Sequence, residues 1–182
     1  ASMDYNSGAF YWEAGDYIYV KDDNNVWQKS SNAPTAKTAN FKFYVSGDFK
    51  NSNTYEVYYP GKNGNKDQVT ISTTQTQTEP NSTIHFGESG DCGTATAIKN
   101  VSATGGIDFR FSIDHQASYL VFQPYTNNTA LQKCYLTKIE VSSDDDIAAT
   151  YTLDPVNGLT GTGTGKQITL TTQGSGTYTN GF

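Results

Sequence analysis

Apolar and polar residues alternate with a period of two along most of this chain. Successive side chains of a β-strand point to opposite faces, so each alternating run predicts a strand with one buried face. Clusters of Asp, Asn, Ser and Gly separate the runs and are typical of turns. The predicted strands are 16–20, 41–45, 54–60, 68–72, 107–113, 117–122, 136–141, 149–153 and 166–171.

Four stretches in the middle of the chain have distinct patterns. In 107–113 the odd-numbered residues are all apolar, which predicts one buried and one solvated face. In 117–122 nearly every residue is apolar, which predicts a central strand buried on both faces. Asp114-His115-Gln116 lies between them and is interpreted as the polar turn of a hairpin. The stretch 91–101 differs from the predicted strands, because it has no clear alternation of apolar and polar residues. It predicts a loop or a single helical turn.

Short strands joined by polar turns predict an all-β fold. We expect a β-sandwich of about seven to nine mostly antiparallel strands, formed by residues 1–182 as one domain. Residues 1–3 are interpreted as a remnant of cloning, so that native sequence starts near Asp4. The Gly/Thr-rich end of the chain is interpreted as a truncation, with a C-terminal domain missing.

The composition supports this fold class and excludes some partners. Aromatic residues make up 13%, enough to build a core, and the chain has 13 Tyr and 17 Gly. The net charge of −6 and the single arginine, Arg110, argue against nucleic acid as a partner. No run approaches the roughly 20 apolar residues of a membrane-spanning helix.

The Asp114–His115 pair is the most suggestive feature for catalysis. With Cys92 or Ser89 as nucleophile, His115 would serve as the base of a hydrolase. Adjacent residues of a strand point to opposite faces, however, so Asp114 would not orient the ring of His115. We therefore expect no enzymatic activity, and the sequence predicts neither a metal site nor a cofactor, because the oxygen-rich runs do not match a calcium loop.

Two cysteines, Cys92 and Cys134, leave two possibilities open. They form one disulfide in an oxidising compartment, or they stay apart as small buried residues.

Aromatic residues crowd the N-terminal third of the chain. Exposed rings on a sheet stack on sugar rings, whereas buried rings fill a core, and the pattern alone leaves both open. The candidate glycan-stacking residues are Trp12, Tyr17, Tyr19, Trp27, Tyr58 and Tyr59.

Four stretches, in this order, resemble the fimbrillin-like surface proteins of Bacteroides and its relatives. They are "FYWEAGDYIYV" (10–20), "GDCGTATA" (90–97), "FRFSIDHQASYLVFQPY" (109–125) and "LTKIEVSSDDDIAATYTL" (136–153). The resemblance covers roughly residues 10–172. It departs from the family pattern at Ala149, where the family often has Gly.

The resemblance implies the N-terminal pilin-type domain of such a protein, with a transthyretin-like β-sandwich. Relatives are exported lipoproteins, anchored at the outer membrane and assembled into fimbriae by addition of a β-strand from one subunit to the next. Other fimbrial subunits are therefore the expected partners and the cell surface the expected location. A glycan-binding surface module is the alternative function, and the family carries over no catalytic residue.

Overall fold

A computed structural model describes residues 1–172, and this part of the chain is nearly all β. Antiparallel sheets pack as a sandwich, which confirms the predicted fold class. The described residues form fourteen strands, many of only two or three residues, where the sequence predicted about seven to nine. The strands are β1 (Ser2–Met3), β2 (Phe10–Tyr11), β3 (Tyr19–Lys21), β4 (Trp27–Lys29), β5 (Thr54–Tyr59), β6 (Gln68–Thr70), β7 (Thr74–Gln77), β8 (Gly93–Val101), β9 (Ile107–Arg110), β10 (Asp114–His115), β11 (Lys138–Ser142), β12 (Thr150–Asp154), β13 (Gly158–Thr160) and β14 (Gln167–Thr172).

Residues 1–172 also contain two short helices. They are α1 (Phe86–Ser89) and the 3₁₀-helix Leu131–Lys133. Within residues 1–172, no helix has the length and apolar character needed to cross a bilayer.

The largest sheet has the order β10-β8-β5-β3-β4, with β9 also paired to β8. Its longest strand is β8, which pairs with β5 from Thr54↔Ile98 to Tyr59↔Gly93. The prediction of a loop or helical turn for 91–101 was therefore wrong. Small residues hid this strand, because Gly, Ala and Thr give little apolar contrast along the run.

The strands β9 and β10 both lie along the same edge of β8. A tight turn at 102–106 reverses the chain, and Asp114 and His115 then pair with Thr94 and Gly93. The prediction that Asp114-His115-Gln116 forms a hairpin turn was wrong, because these residues continue the sheet. The one-sided pattern of 107–113 holds from residue 109 onward, where the odd-numbered side chains are half-buried and the even-numbered ones exposed.

The other described strands form two three-stranded sheets, with the orders β11-β14-β7 and β13-β12-β6, and one two-stranded sheet, β1-β2. The β14–β7 pair is parallel, and the other pairs are antiparallel. Here the predicted strands 68–72, 136–141, 149–153 and 166–171 correspond to β6, β11, β12 and β14.

The core consists of two clusters on the large sheet. One joins buried residues of β3, β5 and β8 with Ile18, and the other joins Tyr58, Val69, Cys92 and Leu153. Since Val69 and Cys92 are wholly inaccessible and Leu153 is nearly so, the second cluster ties the large sheet to β6 and β12.

The predicted strand 41–45 covers the first core cluster without forming a strand. Only Val45 makes an isolated bridge, to Ser30. Phe41, Phe43 and Val45 are nevertheless half-buried, while the residues between them are exposed. The alternation was therefore correct about which side chains face the core and wrong about main-chain pairing.

Candidate functional site

The most unusual feature of the described chain is residues 117–127, which form no strand although they include the most apolar run of the sequence. Leu120, Val121, Phe122 and Tyr125 are 68%, 56%, 48% and 90% exposed. The prediction of a central strand buried on both faces was therefore wrong. Within residues 1–172, no main-chain hydrogen bond to another main-chain group involves this stretch, which we call the unpaired segment.

The unpaired segment lines one side of an open groove with a volume of about 1510 Å³. The opposite wall is the β11-β14-β7 sheet, which contributes Ile139, Val141, Ile168 and Leu170. These four side chains are only half-buried. An apolar surface of this kind on both walls is characteristic of a surface that binds another molecule.

Among residues 1–172, β14 is the only strand that pairs with β11, so β11 is an open edge of its sheet in this part of the chain. Thr172 N donates to Thr137 O and Ser143 N donates to Lys166 O, so these are hydrogen-bonded pairs of the ladder. Hydrogen-bonded and non-bonded pairs alternate in an antiparallel ladder, and the main-chain groups of residues 138, 140 and 142 therefore point outward. Residues 139 and 141 of the same strand line the groove.

A buried polar cluster holds the beginning of the unpaired segment. His115 Nδ1 lies 2.6 Å from Asp91 Oδ1, and the Tyr119 hydroxyl donates to the same oxygen at 2.5 Å. Phe10 stacks on the His115 ring at a centroid distance of 3.6 Å, and Phe86 stacks on Tyr119 at 4.6 Å. The segment is therefore fixed at 115–119, just before its exposed apolar residues.

Burial and charge shift the pKa values in this cluster in opposite directions. Burial by itself raises the pKa of Asp91, but the hydrogen bond and charge of His115, the N-terminal ammonium and Tyr119 together lower it. Burial, followed by the charge and hydrogen bond of Asp91, raises the pKa of Tyr119 far above its usual range. Asp91 is thus a stable carboxylate and Tyr119 a stable hydroxyl donor.

The structure gives His115 a carboxylate partner but no hydrogen bond to either of the predicted nucleophiles. The partner of His115 is Asp91, which is 24 residues away, whereas Asp114 is exposed and accepts from Gln116 Nε2 at 3.1 Å. Within the described chain, neither Ser89 nor the thiol of Cys92 hydrogen-bonds to His115. Burial and the neighbouring Asp91 raise the pKa of the Cys92 thiol to about 12, which disfavours the nucleophilic thiolate.

Cys92 and Cys134 are not bonded to each other. Cys92 is wholly buried and Cys134 is exposed, and both are free thiols. The disulfide that the sequence left open is therefore not formed in this structure.

Half of the predicted glycan-stacking residues belong to the interior. Tyr59 is 0% and Tyr58 is 3% exposed, so neither offers a ring face to a sugar. Trp12 packs edge-on against Phe43 and Tyr59 at 4.9 and 5.4 Å. The prediction was wrong for Tyr58 and Tyr59, because alternation along a strand does not tell which of its two faces is covered.

The other three predicted stacking residues lie together beside β3 and β4. Tyr17, Tyr19 and Trp27 are half-buried and meet edge to face, at 5.8 and 6.4 Å between ring centroids. Lys29 Nζ lies 3.7 Å from the centre of the Tyr17 ring, and Lys21 Nζ lies 4.5 Å from that of Trp27. Since cation–π contacts already occupy these faces, a sugar would have to displace the lysines. Glycan stacking at these three residues stays a prediction.

Neither a search for metal-binding clusters nor comparison with known proteins assigns a function to this chain. No group of three or more His, Cys, Asp or Glu side chains within residues 1–172 is arranged to hold a metal ion. Comparison of the chain with protein-family models, curated proteins and solved structures found no match. Functional conclusions therefore depend on the geometry of the groove and of the Asp91 cluster.

Sequence reasoning missed Asp91 and Tyr119 as well as the groove. Asp91 stood in a stretch interpreted as a loop, and Tyr119 in a run interpreted as buried strand. One signal was available: a carboxylate directly before the apolar Cys92 is unusual at the start of a buried strand and marks a group that needs a partner.

Proposed function

We propose that this protein is a structural subunit of a bacterial surface fimbria, and that its groove receives a β-strand from a neighbouring subunit. The observation that carries the proposal is the pair of unsatisfied surfaces at one place: the exposed apolar residues of the unpaired segment, and the open edge of β11. The resemblance to fimbrillin-like proteins in four ordered stretches points in the same direction. Such a subunit would act at the cell surface.

Strand addition fits both surfaces by ordinary physical chemistry. Main-chain groups of an added strand would pair with the outward groups of residues 138, 140 and 142, and its alternate side chains would enter the groove. Burying Leu120, Val121 and Phe122 would contribute about 25 cal/mol for each Å² of apolar surface removed from water. Open apolar edges otherwise favour uncontrolled association, so natural proteins block or occupy them.

The edge of β11 allows a test that leaves the subunit's own sheet intact. Proline at position 140 removes an outward N–H group and no hydrogen bond to β14. We expect Glu140→Pro to abolish assembly into filaments while the isolated subunit keeps its circular dichroism spectrum. Glu140→Ala is the matched control, because it loses the same exposed ion pair with Lys138 but keeps the N–H group.

Electron microscopy and sedimentation velocity would measure assembly of the concentrated full chain. Filaments from the Glu140→Ala protein and none from the Glu140→Pro protein are the expected result. Equal assembly of both variants would show that β11 is not the acceptor edge. A chain that stays monomeric at every concentration would count against self-assembly through this groove.

A further inference from the structure

A second cavity, of about 840 Å³, lies over the first core cluster of the large sheet and shares no lining residue with the groove. We call this cavity the slot. Its floor consists of buried residues of that cluster, and residues 39–45 and 107–113 border it. Small-molecule sites have volumes of about 300–1,000 Å³ and mostly apolar and aromatic linings, so the slot has the size of such a site.

The two bordering stretches reach the slot from opposite edges of the large sheet. Residues 107–110 pair with β8, whereas Val45 bridges Ser30 beside β4, at the other edge. Within residues 1–172, no main-chain hydrogen bond joins 39–45 to 107–113, so the slot is open between them. Both stretches direct alternate half-buried apolar side chains toward the floor, namely Phe41, Phe43, Val45, Phe109, Phe111 and Ile113.

The interior of the slot offers apolar surface. Trp12 meets Phe43 edge-on at 4.9 Å between ring centroids, and Tyr55 meets Phe109 at 5.2 Å. The Tyr55 hydroxyl donates to Asp23 Oδ1 at 2.8 Å, so its hydrogen-bonding capacity is already used. An alkyl chain therefore suits this interior better than a polar ligand, which would lose hydrogen bonds to water there.

The border of the slot carries positive charge in an otherwise acidic protein. Lys42 and Arg110 both line the slot and are exposed, whereas the whole chain has a net charge of −6. Asp108 is the one carboxylate among the lining residues, and it accepts from Asn100 Nδ2 at 2.7 Å and lies 3.7 Å from Arg110 Nε. Within the described chain, Lys42 forms no ion pair and Arg110 forms none besides this exposed one. Both cations are therefore available to an anionic group.

We propose that the slot binds a free long-chain alkyl carboxylate, with its chain among the aromatic side chains and its carboxylate at Lys42 and Arg110. The affinity comes from the apolar surface that the chain removes from water. Exposed charge pairs contribute less, and their effect is to select the sign of the head group. The site does not depend on strand addition, since the groove is a separate surface.

Titration calorimetry of the full chain with dodecanoate, below its critical micelle concentration, tests the site. Dodecyltrimethylammonium is the matched control ligand, because it has the same chain and the opposite charge. A protein with a net charge of −6 attracts the cation in general, so a preference for the anion requires local positive charge. We expect saturable binding of dodecanoate, about fivefold or more tighter than that of the cation. Equal affinities, or tighter binding of the cation, would overturn the proposal.

Lys42→Gln with Arg110→Gln tests the contacts to the head group. Both side chains are exposed, so the fold should be retained, and the affinity for dodecanoate should fall about fivefold. Lys50→Gln with Lys138→Gln is the matched control, because it removes the same charge from exposed positions outside the slot. Equal losses in the two double variants would mean that overall charge decides the affinity, and the assigned head-group contacts would be refuted.

Two single variants distinguish the slot from the groove, which also exposes apolar side chains. Phe41→Ser removes a ring of the slot from a stretch that forms no strand, and Phe122→Ser removes a ring of the groove. We expect about tenfold weaker dodecanoate binding in Phe41→Ser and unchanged binding in Phe122→Ser. The reverse result would place the ligand in the groove and overturn the slot.

Tryptophan fluorescence reports on the slot without altering its lining. Trp12 lines the slot and Trp27 does not, so the Trp27→Phe protein has its single indole at the site. Dodecanoate should shift the Trp12 emission with the same midpoint as the calorimetric titration. Saturable binding without any change in emission would contradict the location. Pelleting of the protein with phosphatidylglycerol vesicles, without binding of dodecanoate, would indicate a lipid surface and would also overturn the proposal.

Discussion

His115 Nδ1 lies 2.6 Å from Asp91 Oδ1, and the ring of Phe10 stacks on one face of the His115 ring. The two residues are brought together by β8 and β10, which pair His115 with Gly93. Gly93 has no side chain where a Cβ atom would lie 2.4 Å from Ile113, so β10 approaches β8 closely at this point. The unpaired segment is connected to this pair through Tyr119, whose hydroxyl donates to the same oxygen of Asp91.

Asp91→Asn should destabilise the folded chain by about 3–5 kcal/mol, because it removes the buried charged partner that His115 and Tyr119 share. Urea unfolding followed by circular dichroism measures the change. Asp114→Asn is the control, since this neighbouring carboxylate is exposed, and it should shift the free energy of unfolding by no more than about 0.5 kcal/mol. Equal effects of the two substitutions would contradict the central position of Asp91.

Stability should decrease in acid because of Asp91. Its folded pKa is lowered, so the unfolded chain binds a proton more readily than the folded one. The contribution is fully present above the unfolded pKa near 3.9 and is lost as pH falls through the lower folded value. Urea midpoints at pH 6 and pH 3 measure it. The difference between them should be smaller in Asp91→Asn, and an equal difference would contradict this source.

Stability should also decrease in alkali because of Tyr59, which is buried, and Tyr119, which is half-buried and hydrogen-bonded to Asp91. Burial and the carboxylates of Asp91 and Asp16 raise the pKa of Tyr59, and burial and Asp91 raise that of Tyr119. A raised folded pKa stabilises the protein below the unfolded pKa near 10 and loses this contribution as pH rises further. Tyrosinate absorbance at 295 nm and far-ultraviolet circular dichroism should therefore change together. Complete ionisation of the 13 tyrosines with an unchanged dichroism spectrum would refute the burial of both.

The strands that the sequence predicted correctly are those whose evidence is local. In β5, Thr54–Tyr59, the inward Tyr55 and Val57 alternate with exposed residues, and this period of two is sufficient to identify the element. The strands β12 and β14 were located by the same alternation in the sequence, although their burial in the fold alternates less clearly. Very short strands such as β10 have no such local signal, because two residues cannot show a period, and their pairing depends on the neighbour they meet.

Neither the exposed apolar run 117–122 nor the Asp91–His115 pair could be predicted from the sequence, and the physical reason differs between the two. A continuous apolar run such as 117–122 indicates that burial is needed but not what supplies it, and within the described chain no strand does. The Asp91–His115 pair joins residues 24 positions apart, and such contacts follow from sheet register, which a single sequence does not reveal. The sequence suggested Asp114 as the partner of His115 because it is adjacent along the chain, whereas the partner in the fold is Asp91.

The two thiols should react at very different rates. Cys134 is exposed at the rim of the groove, whereas Cys92 is buried with a pKa raised to about 12. Ellman's reagent should therefore titrate one thiol quickly in the folded protein and the second only after unfolding. Cys134→Ser should remove the fast phase. Two fast thiols, or none, would contradict the positions of both residues.

Replacing the exposed apolar side chains of the unpaired segment should weaken assembly and leave the isolated subunit stable. In Leu120→Ser with Phe122→Ser, the free energy of unfolding should change by no more than about 1 kcal/mol, because Leu120 is already 68% and Phe122 48% exposed. Assembly should fall sharply, because the apolar area that an added strand would cover is lost. Unfolding in urea and sedimentation velocity measure the two quantities.

Val101→Ser with Ile107→Ser is the matched control for this pair. These residues face each other at the end of the β8–β9 hairpin, are 62% and 59% exposed, and do not line the groove. The control should therefore remove comparable exposed apolar surface without affecting assembly. If both double variants assemble equally poorly, general surface hydrophobicity drives association. If only the segment variant fails, the groove is the surface at which subunits meet.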